Sequence, residues 1–195
     1  MKISAFLFLL LSSSAWGTTD HTGFAVVSVG YPSTIYSGTF KSEIDQAKIA
    51  GSLSSVFRLH FGAGAYFPTV NSHAYFGPIF NFNGDKALDD IIVYRVGAAA
   101  SMLFFFNSIS TDSVFLRGDV GPEFLTKTGL LQTREDDFGA QVLFGAGYSL
   151  AGGQMISADY SLHLGTNMDQ TITVGVTFRV MAFEAKKLLP FIAAD

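Results

Sequence analysis

Charged side chains and histidines occur at intervals inside otherwise apolar segments of this 195-residue sequence. Such groups can pair with one another, bind ions or transfer protons. Eight of them share the polar side of their segments, and they are Arg58, Arg95, Arg117, Asp119, Glu123, Asp159, His163 and Arg179. Four arginines nearly balance three carboxylates in this set, and an unpaired charge in a confined interior is costly. We therefore predict a paired, hydrogen-bonded charge network.

The segments that carry these charges alternate polar and apolar residues. Residues 171–180 do so without a break, with Ile172 and Phe178 on one side and Thr173 and Arg179 on the other. Successive side chains of a β-strand point to opposite faces, so the pattern predicts strands with one apolar and one polar face. Eight such strands are predicted, at residues 23–32, 53–67, 74–83, 91–106, 114–126, 137–150, 154–165 and 171–180.

Composition indicates which face points inward. Hydrophobic residues make up 49% of the sequence and charged residues only 14%, whereas a soluble surface carries about 25–35% charged residues. No run beyond the first residues approaches the roughly 18 apolar residues of a membrane helix, and a closed barrel is the other structure that can span lipid. A soluble lipocalin-like barrel would have to enclose the apolar face, which holds too many phenylalanines to leave space for a ligand. The predicted fold is an all-β, eight-stranded antiparallel up-and-down transmembrane β-barrel.

The ends of the sequence lie outside this predicted barrel. Residues 1–17 have the pattern of a secretory signal peptide, with Lys2 before an apolar stretch and the small residues Ala15 and Gly17 at the cleavage positions. We expect the barrel at 18–180 and a short periplasmic tail at 181–195. The sequence contains no cysteine, which excludes a lipoprotein anchor. The net charge of -4 argues against nucleic acid as a partner.

The predicted connections alternate between longer loops and shorter turns. The longest is 33–52, and it is the candidate for contact with an extracellular partner. An even number of strands places both termini at the end with the short turns, which in an outer-membrane barrel faces the periplasm.

The signal peptide, the eight alternating strands and this asymmetry resemble small outer-membrane barrels of the OmpA and OmpX type. Thr173, Gly175, Phe178 and Val180 also resemble the C-terminal signal that the outer-membrane insertion machinery reads. The resemblance implies a monomer in the bacterial outer membrane, in contact with lipid and lipopolysaccharide. It implies a structural or surface-interaction role, with a low-conductance pore gated by interior charges as an alternative.

One pairing inside the barrel can be predicted from strand register. If the fourth and fifth strands form a hairpin through residues 107–113, Arg95 lies opposite Glu123. A similar count across the next loop places Gln141 beside Glu123. We therefore predict an Arg95–Glu123 ion pair.

No residue pattern indicates catalysis. A lipid A-modifying barrel enzyme needs a nucleophile and a base at the lipid-facing rim, but parity directs His60 and His163 inward. Ser161 and His163 share a strand face without forming a recognisable motif. Histidines on separate strands lack metal-ligand spacing. We expect no enzymatic activity, and we identify no catalytic, cofactor-binding or metal-binding residue and no cofactor.

Overall fold

Eight antiparallel strands close into a barrel in which each strand pairs with its sequence neighbour and the first pairs with the last. The computed structural model describes residues 22–49, 56–69, 73–87, 91–109, 111–128 and 134–184. The strands are β1 Thr22–Ile35, β2 Val56–Pro68, β3 Ala74–Ala87, β4 Ile91–Phe105, β5 Ser113–Thr128, β6 Arg134–Ser149, β7 Gln154–Leu164 and β8 Met168–Glu184. The predicted fold class is confirmed. The predicted signal peptide lies outside the described residues.

The polar face of the strands points into the barrel, and the apolar face points outward. Phe138, Phe144 and Phe80 are 72%, 63% and 63% exposed on the outer surface, where a soluble protein would carry polar groups. Asp119 and His163, which alternate with apolar neighbours on β5 and β7, are buried. Since side chains alternate along a strand, one choice of inner face fixes the environment of every residue. No helix of the described residues is long and apolar enough to cross a membrane.

Most strands run further than predicted at the end of the barrel that holds the β1–β2, β3–β4, β5–β6 and β7–β8 connections. We call this the loop end, and we call the opposite end the turn end. Only residues 88–90, 129–133 and 165–167 connect the later strand pairs at the loop end, because the strands extend into the predicted loops. The predicted difference between long loops and short turns is therefore wrong except for the β1–β2 connection.

The β1–β2 connection contains a helix that the strand-based prediction missed. Helix α1 spans Gly38–Ile49, within the predicted loop 33–52. Gly38 begins the helix with a φ of 65°, a backbone conformation that favours glycine. Lys41 and Asp45, one turn apart on α1, form an ion pair of 2.7 Å of the kind that supports isolated helical turns.

The last strand passes the predicted end of the barrel at residue 180. β8 continues to Glu184, so the first residues of the predicted tail belong to the barrel wall, and residues 185–195 lie outside the described residues. The pairing of β1 with β8 shifts between Ala25, opposite Met181, and Val26, opposite Arg179. The extra residue is a β-bulge that changes the alternation. Arg179 is therefore buried inside while Met181 is exposed outside.

Candidate functional site

The candidate site is the interior of the barrel, because the predicted charges converge there. An eight-stranded barrel has an interior just wide enough for side chains to fill. The side chains form three zones along the barrel axis: an apolar cluster at the turn end, a charged zone in the middle and a second charged zone at the loop end.

The turn end is closed by apolar side chains, which we call the turn-end plug. Its members are Phe24, Val26, Tyr66, Tyr75, Leu103, Phe105, Ile109, Phe115 and Met155. Each aromatic ring contacts the next one across the lumen. The centroid distances are 5.1 Å for Phe24–Tyr75, 5.8 Å for Tyr75–Phe105 and 5.7 Å for Phe105–Phe115. This packing explains why Phe24, Val26 and Leu103 occur on the otherwise polar face of their strands.

Arg179 forms hydrogen bonds to the β4–β5 and β6–β7 turns, next to this plug. Its Nη1 donates to the carbonyl of Ile109 at 3.0 Å and its Nη2 to the carbonyl of Leu150 at 2.9 Å. Ile109 belongs to the β4–β5 turn and is buried within the plug. The sequence placed Arg179 in the charge network, whereas these bonds give it a role in holding two turns against the barrel.

The middle zone is built around Arg117. Its guanidinium forms ion pairs with Asp119 at 2.5 Å and with Asp159 at 3.4 Å. Arg117 and Asp159 lie on strands separated by β6, where the residue in register with both is Gly145. Because Gly145 has no side chain, the two charged groups can meet across the intervening strand.

Hydrogen bonds continue from this zone into the plug. Ser101 Oγ donates to Asp119 Oδ1 at 2.5 Å, so its own hydroxyl accepts from Tyr66, whose oxygen lies 2.7 Å away. Tyr66 thus presents its ring to the apolar cluster and its hydroxyl to the charges, as buried tyrosines commonly do.

Arg95 spans the lumen at the loop end. Its Nη1 donates to Thr171 Oγ1 at 2.6 Å, and its Nη2 lies 3.6 Å from Asp169 Oδ2. Both partners are on β8, four strands away around the barrel of eight. Lys127 from β5 also pairs with Asp169, at 2.7 Å. This arrangement ties opposite walls of the barrel together.

The predicted Arg95–Glu123 ion pair is wrong because the register is displaced by two residues. Arg95 lies opposite Leu125, and Glu123 lies opposite Gly97. A separate displacement of two residues between β5 and β6 places Gln141 opposite Gly121. A shift of two residues preserves the face of every side chain, so Arg95 and Glu123 still point inward but find different partners.

Glu123 pairs with His163. His163 Nδ1 lies 2.7 Å from Glu123 Oε2, and Nε2 lies 3.3 Å from Asp137 Oδ2. Asp137 in turn accepts hydrogen bonds from the β7–β8 turn, where the backbone N–H of Thr166 is 3.1 Å from Oδ1. The imidazole thereby connects an interior carboxylate to a turn at the loop end.

Two residues that the sequence directs inward, Arg58 and His60, take no part in these ion pairs. The Arg58 guanidinium lies 5.7 Å from the Tyr31 ring centroid, and its Nη1 lies 3.4 Å from Ser33 Oγ. Tyr31 and Ser33 are exposed on the outer side, so the Arg58 guanidinium contacts these residues and not the interior ion pairs, contrary to the prediction, while its Nε stays buried. His60 is buried and contacts neutral groups, with Nδ1 2.7 Å from Asn83 Oδ1 and Nε2 3.5 Å from Ser28 Oγ.

Sequence reasoning missed three charged residues that anchor the loop-end zone: Lys127, Asp137 and Asp169. Each was assigned to a loop or to a strand end. The available signal was parity, because Lys127 continues the face of Glu123, Asp137 that of Gln141, and Asp169 that of Thr171. Extending the alternation into the connections would have found all three.

Tyr36 follows the end of β1 and is buried at the opening of the barrel at the loop end, which we call the mouth. Its hydroxyl donates to Asp85 Oδ2 at 2.6 Å, and its ring lies 5.8 Å from Lys127 Nζ. Ser37 donates from its backbone N–H and its hydroxyl to Asp169 Oδ1, at 2.8 and 3.1 Å. Burial and the Asp85 carboxylate raise the pKa of the Tyr36 hydroxyl well above its ordinary value, which keeps the hydroxyl a donor.

The described histidines and carboxylates include no group of three or more arranged to hold a metal ion. The chemistry that this interior can perform is ion pairing and proton exchange along short hydrogen bonds. His163 is the group best placed for proton exchange, since both of its nitrogens face carboxylates.

The architecture matches solved structures of bacterial surface barrels. Ail, the attachment invasion locus protein of Yersinia pestis, aligns with 80% of this chain and 98% of its own, at 14% identity and a TM-score of 0.52. Neisserial surface protein A aligns with 80% of this chain and 96% of its own, at 12% identity and a TM-score of 0.50. The chain has the fold of the small eight-stranded outer-membrane barrels. The resemblance predicted from the sequence is therefore confirmed for the fold.

The similarity to known proteins is found by comparing structures and not by comparing sequences. A scan against protein-family models finds no match. A search of curated proteins also finds no match. At the low identities to Ail and to the neisserial protein, the likeness concerns strand number, order and closure.

Proposed function

We propose that this protein is an integral protein of the bacterial outer membrane with a structural or surface-interaction role. The outward Phe138, Phe144 and Phe80 side chains give the barrel an apolar belt suited to lipid. The fold of Ail and of the neisserial surface protein supports the same location. In this setting the protein is a monomer that contacts lipid and lipopolysaccharide and has both termini in the periplasm.

The filled interior is the observation that carries this role in preference to that of a pore. An ion entering at the loop end would meet Arg95 stretched between opposite walls. Below the charges it would meet the plug, whose Phe24, Tyr75 and Phe105 are fully buried. A packed apolar constriction excludes water and hence ions. We therefore propose that the ion pairs stabilise a closed barrel, as an apolar core stabilises a soluble protein.

Planar-bilayer conductance is the experiment that tests the closed interior. The purified protein should give no reproducible current steps, after a mobility difference between boiled and unboiled samples has verified that it is folded. Phe105→Ala combined with Tyr75→Ala thins the plug and provides the matched variant. Steps from the unmodified protein that change with Glu123→Ala would favour a gated pore instead.

Helix α1 is the proposed site of contact with an extracellular partner. Its Lys41 and Asp45 side chains are 58% and 44% exposed, while Ile44 is buried beneath the helix. Deleting residues 38–48 removes the exposed helix and leaves Tyr36 and Ser37 in place at the mouth. Surface binding should be lost without loss of folding, and binding that survives the deletion would exclude this segment.

We further propose that Thr173, Gly175, Phe178 and Val180 on β8 direct insertion by the outer-membrane machinery. The structure adds one constraint, because Val180 sits at the bulge where β8 changes its pairing with β1. Phe178→Ala should lower the amount of protein in the outer membrane. The same substitution at the outward Phe144, away from β8, is the control.

A further inference from the structure

His163 lies between two carboxylates with no exposure to solvent. Glu123 Oε2 faces its Nδ1 at 2.7 Å, and Asp137 Oδ2 faces its Nε2 at 3.3 Å. A carboxylate can only accept hydrogen bonds, and a neutral imidazole can donate only one. Both contacts are hydrogen bonds only if both ring nitrogens carry protons. With Glu123 and Asp137 both ionised, the geometry therefore requires an imidazolium at His163.

The charge of the interior leads to the same conclusion independently. The buried ionic residues of the described chain, apart from histidine, are the cations Arg95, Arg117, Lys127 and Arg179 and the anions Asp119, Glu123, Asp137, Asp159 and Asp169. This set is one positive charge short of neutrality. An uncompensated charge in a closed interior is strongly unfavourable. Protonated His163 supplies the missing charge, whereas His60 faces Asn83 and Ser28 and no carboxylate.

The groups around His163 come from all the neighbouring strands. Glu123 extends from β5 and Asp137 from β6, while Asp169 is its register partner on β8. Asp169 is already paired with Lys127 and with Arg95 from β4. The Arg95 cation also acts on the His163 ring and opposes its protonation, but its own partner is Asp169. Glu123 and Asp137 therefore depend on His163 for compensation.

Asp137 links this charge to the surface of the loop end. It accepts hydrogen bonds from the Thr166 hydroxyl at 3.2 Å and from the Asn167 backbone N–H at 3.4 Å. Gly165 lies so close to the Asp137–His163 contact that a Cβ there would collide with both groups. Asn167 packs in turn against Gly38, where α1 begins. One carboxylate thus fastens turn 165–167, and the turn abuts the start of the exposed helix.

We propose that the His163 imidazolium is a proton-operated latch that holds turn 165–167 and the adjoining start of α1 against the barrel. With the proton in place, Glu123 and Asp137 are bridged and the turn is closed. Loss of the proton leaves two carboxylates around one neutral ring, so Asp137 swings away and releases the turn. This latch acts at the surface and is independent of any current through the lumen.

Nuclear magnetic resonance of the purified protein in lipid nanodiscs tests both parts of the proposal. The ¹⁵N signals of the His163 ring should be those of an imidazolium at pH 8, where an isolated histidine is almost entirely neutral. Hydrogen-exchange protection of the Thr166 and Asn167 amides should fall about tenfold or more when the ring loses its proton at higher pH. The turn amide of Gly153, which donates to the Leu150 carbonyl, is the internal reference for intrinsic exchange.

Glu123→Gln separates the latch from a merely structural histidine. This substitution removes one carboxylate that does not touch the turn, so the interior becomes neutral with a neutral His163. The ring should then show neutral signals at pH 8, and turn protection should no longer depend on pH. Asp136→Asn removes an exposed carboxylate next to Asp137 on the opposite strand face and should behave as the unmodified protein. A neutral His163 at pH 8 in the unmodified protein, or an unchanged pH dependence in Glu123→Gln, would overturn the proposal.

Discussion

Replacement of Arg117 by methionine should be among the most destabilising single changes in the barrel. Its guanidinium pairs with Asp119 and Asp159, and all three side chains are at least 94% buried. Methionine fills a similar volume but leaves two carboxylates close together without a cation. Removal of one partner from a buried ion pair costs about 3–5 kcal/mol. We expect a loss of that size in the free energy of unfolding.

Arg58→Met is the matched control. The sequence placed both arginines in the interior, but the Arg58 guanidinium lies near exposed Tyr31 and Ser33, with one hydrogen bond of 3.4 Å. Exposed polar contacts of this kind contribute about 0–1 kcal/mol. The free energy of unfolding of both variants is measured by urea titration of the protein folded in phospholipid vesicles. The folded fraction can be read from the different mobilities of unboiled folded and unfolded protein on gels.

A triple variant, Arg117→Met with Asp119→Asn and Asp159→Asn, tests the cause of the loss. It removes the charges together, so no uncompensated charge is left buried, and that uncompensated charge is the main cost of removing a single partner. Most of the lost stability should return. The reasoning is refuted if Arg117→Met costs no more than Arg58→Met, or if the triple variant is as unstable as the single one.

Two further predictions concern the ends of the lumen. Phe105→Ala should lower the free energy of unfolding by about 3–5 kcal/mol because it opens a cavity in the plug, whereas Phe105→Leu should cost less than about 1.5 kcal/mol; equal losses in the same urea assay would contradict close packing there. At the mouth, the raised pKa of Tyr36 means that its contribution to stability is complete below the unfolded value of about 10 and is lost as the pH rises through the folded value. The unmodified protein should therefore lose stability above about pH 10 more steeply than Tyr36→Phe, and parallel pH profiles would contradict this sign.

The face of each strand could be predicted from the sequence because the alternation has a period of two and lipid reverses the usual preference. A polar side with little charge and an apolar side rich in phenylalanine together favour the membrane orientation. Asp119, Asp159 and His163 were directed inward by parity, and the structure buries them. These inferences depend only on the pleat of a strand, which is local.

The partners of the interior charges could not be predicted because they depend on register and on distances across the lumen. A displacement of two residues between β4 and β5 changes no face but separates Arg95 from Glu123. Arg95 then reaches β8, on the far wall. Register is set by where each turn begins, and the apolar pattern leaves that position free by multiples of two residues. Contacts between strands distant in sequence leave no periodic signal at all.

The plug shows why a polar lumen in a small barrel does not by itself predict a channel. On a reading by polarity alone, Phe24 and Leu103 are irregularities in strands that otherwise direct polar groups inward. Together with Phe105 and Tyr75 they form a continuous apolar layer at the turn end, while the charges occupy the rest of the lumen. Each zone satisfies its own side chains, by close packing in one and by ion pairing in the other. Exceptions to the alternation that gather at one end of a barrel therefore indicate closure of that end, and they should be counted before a pore is inferred from charge.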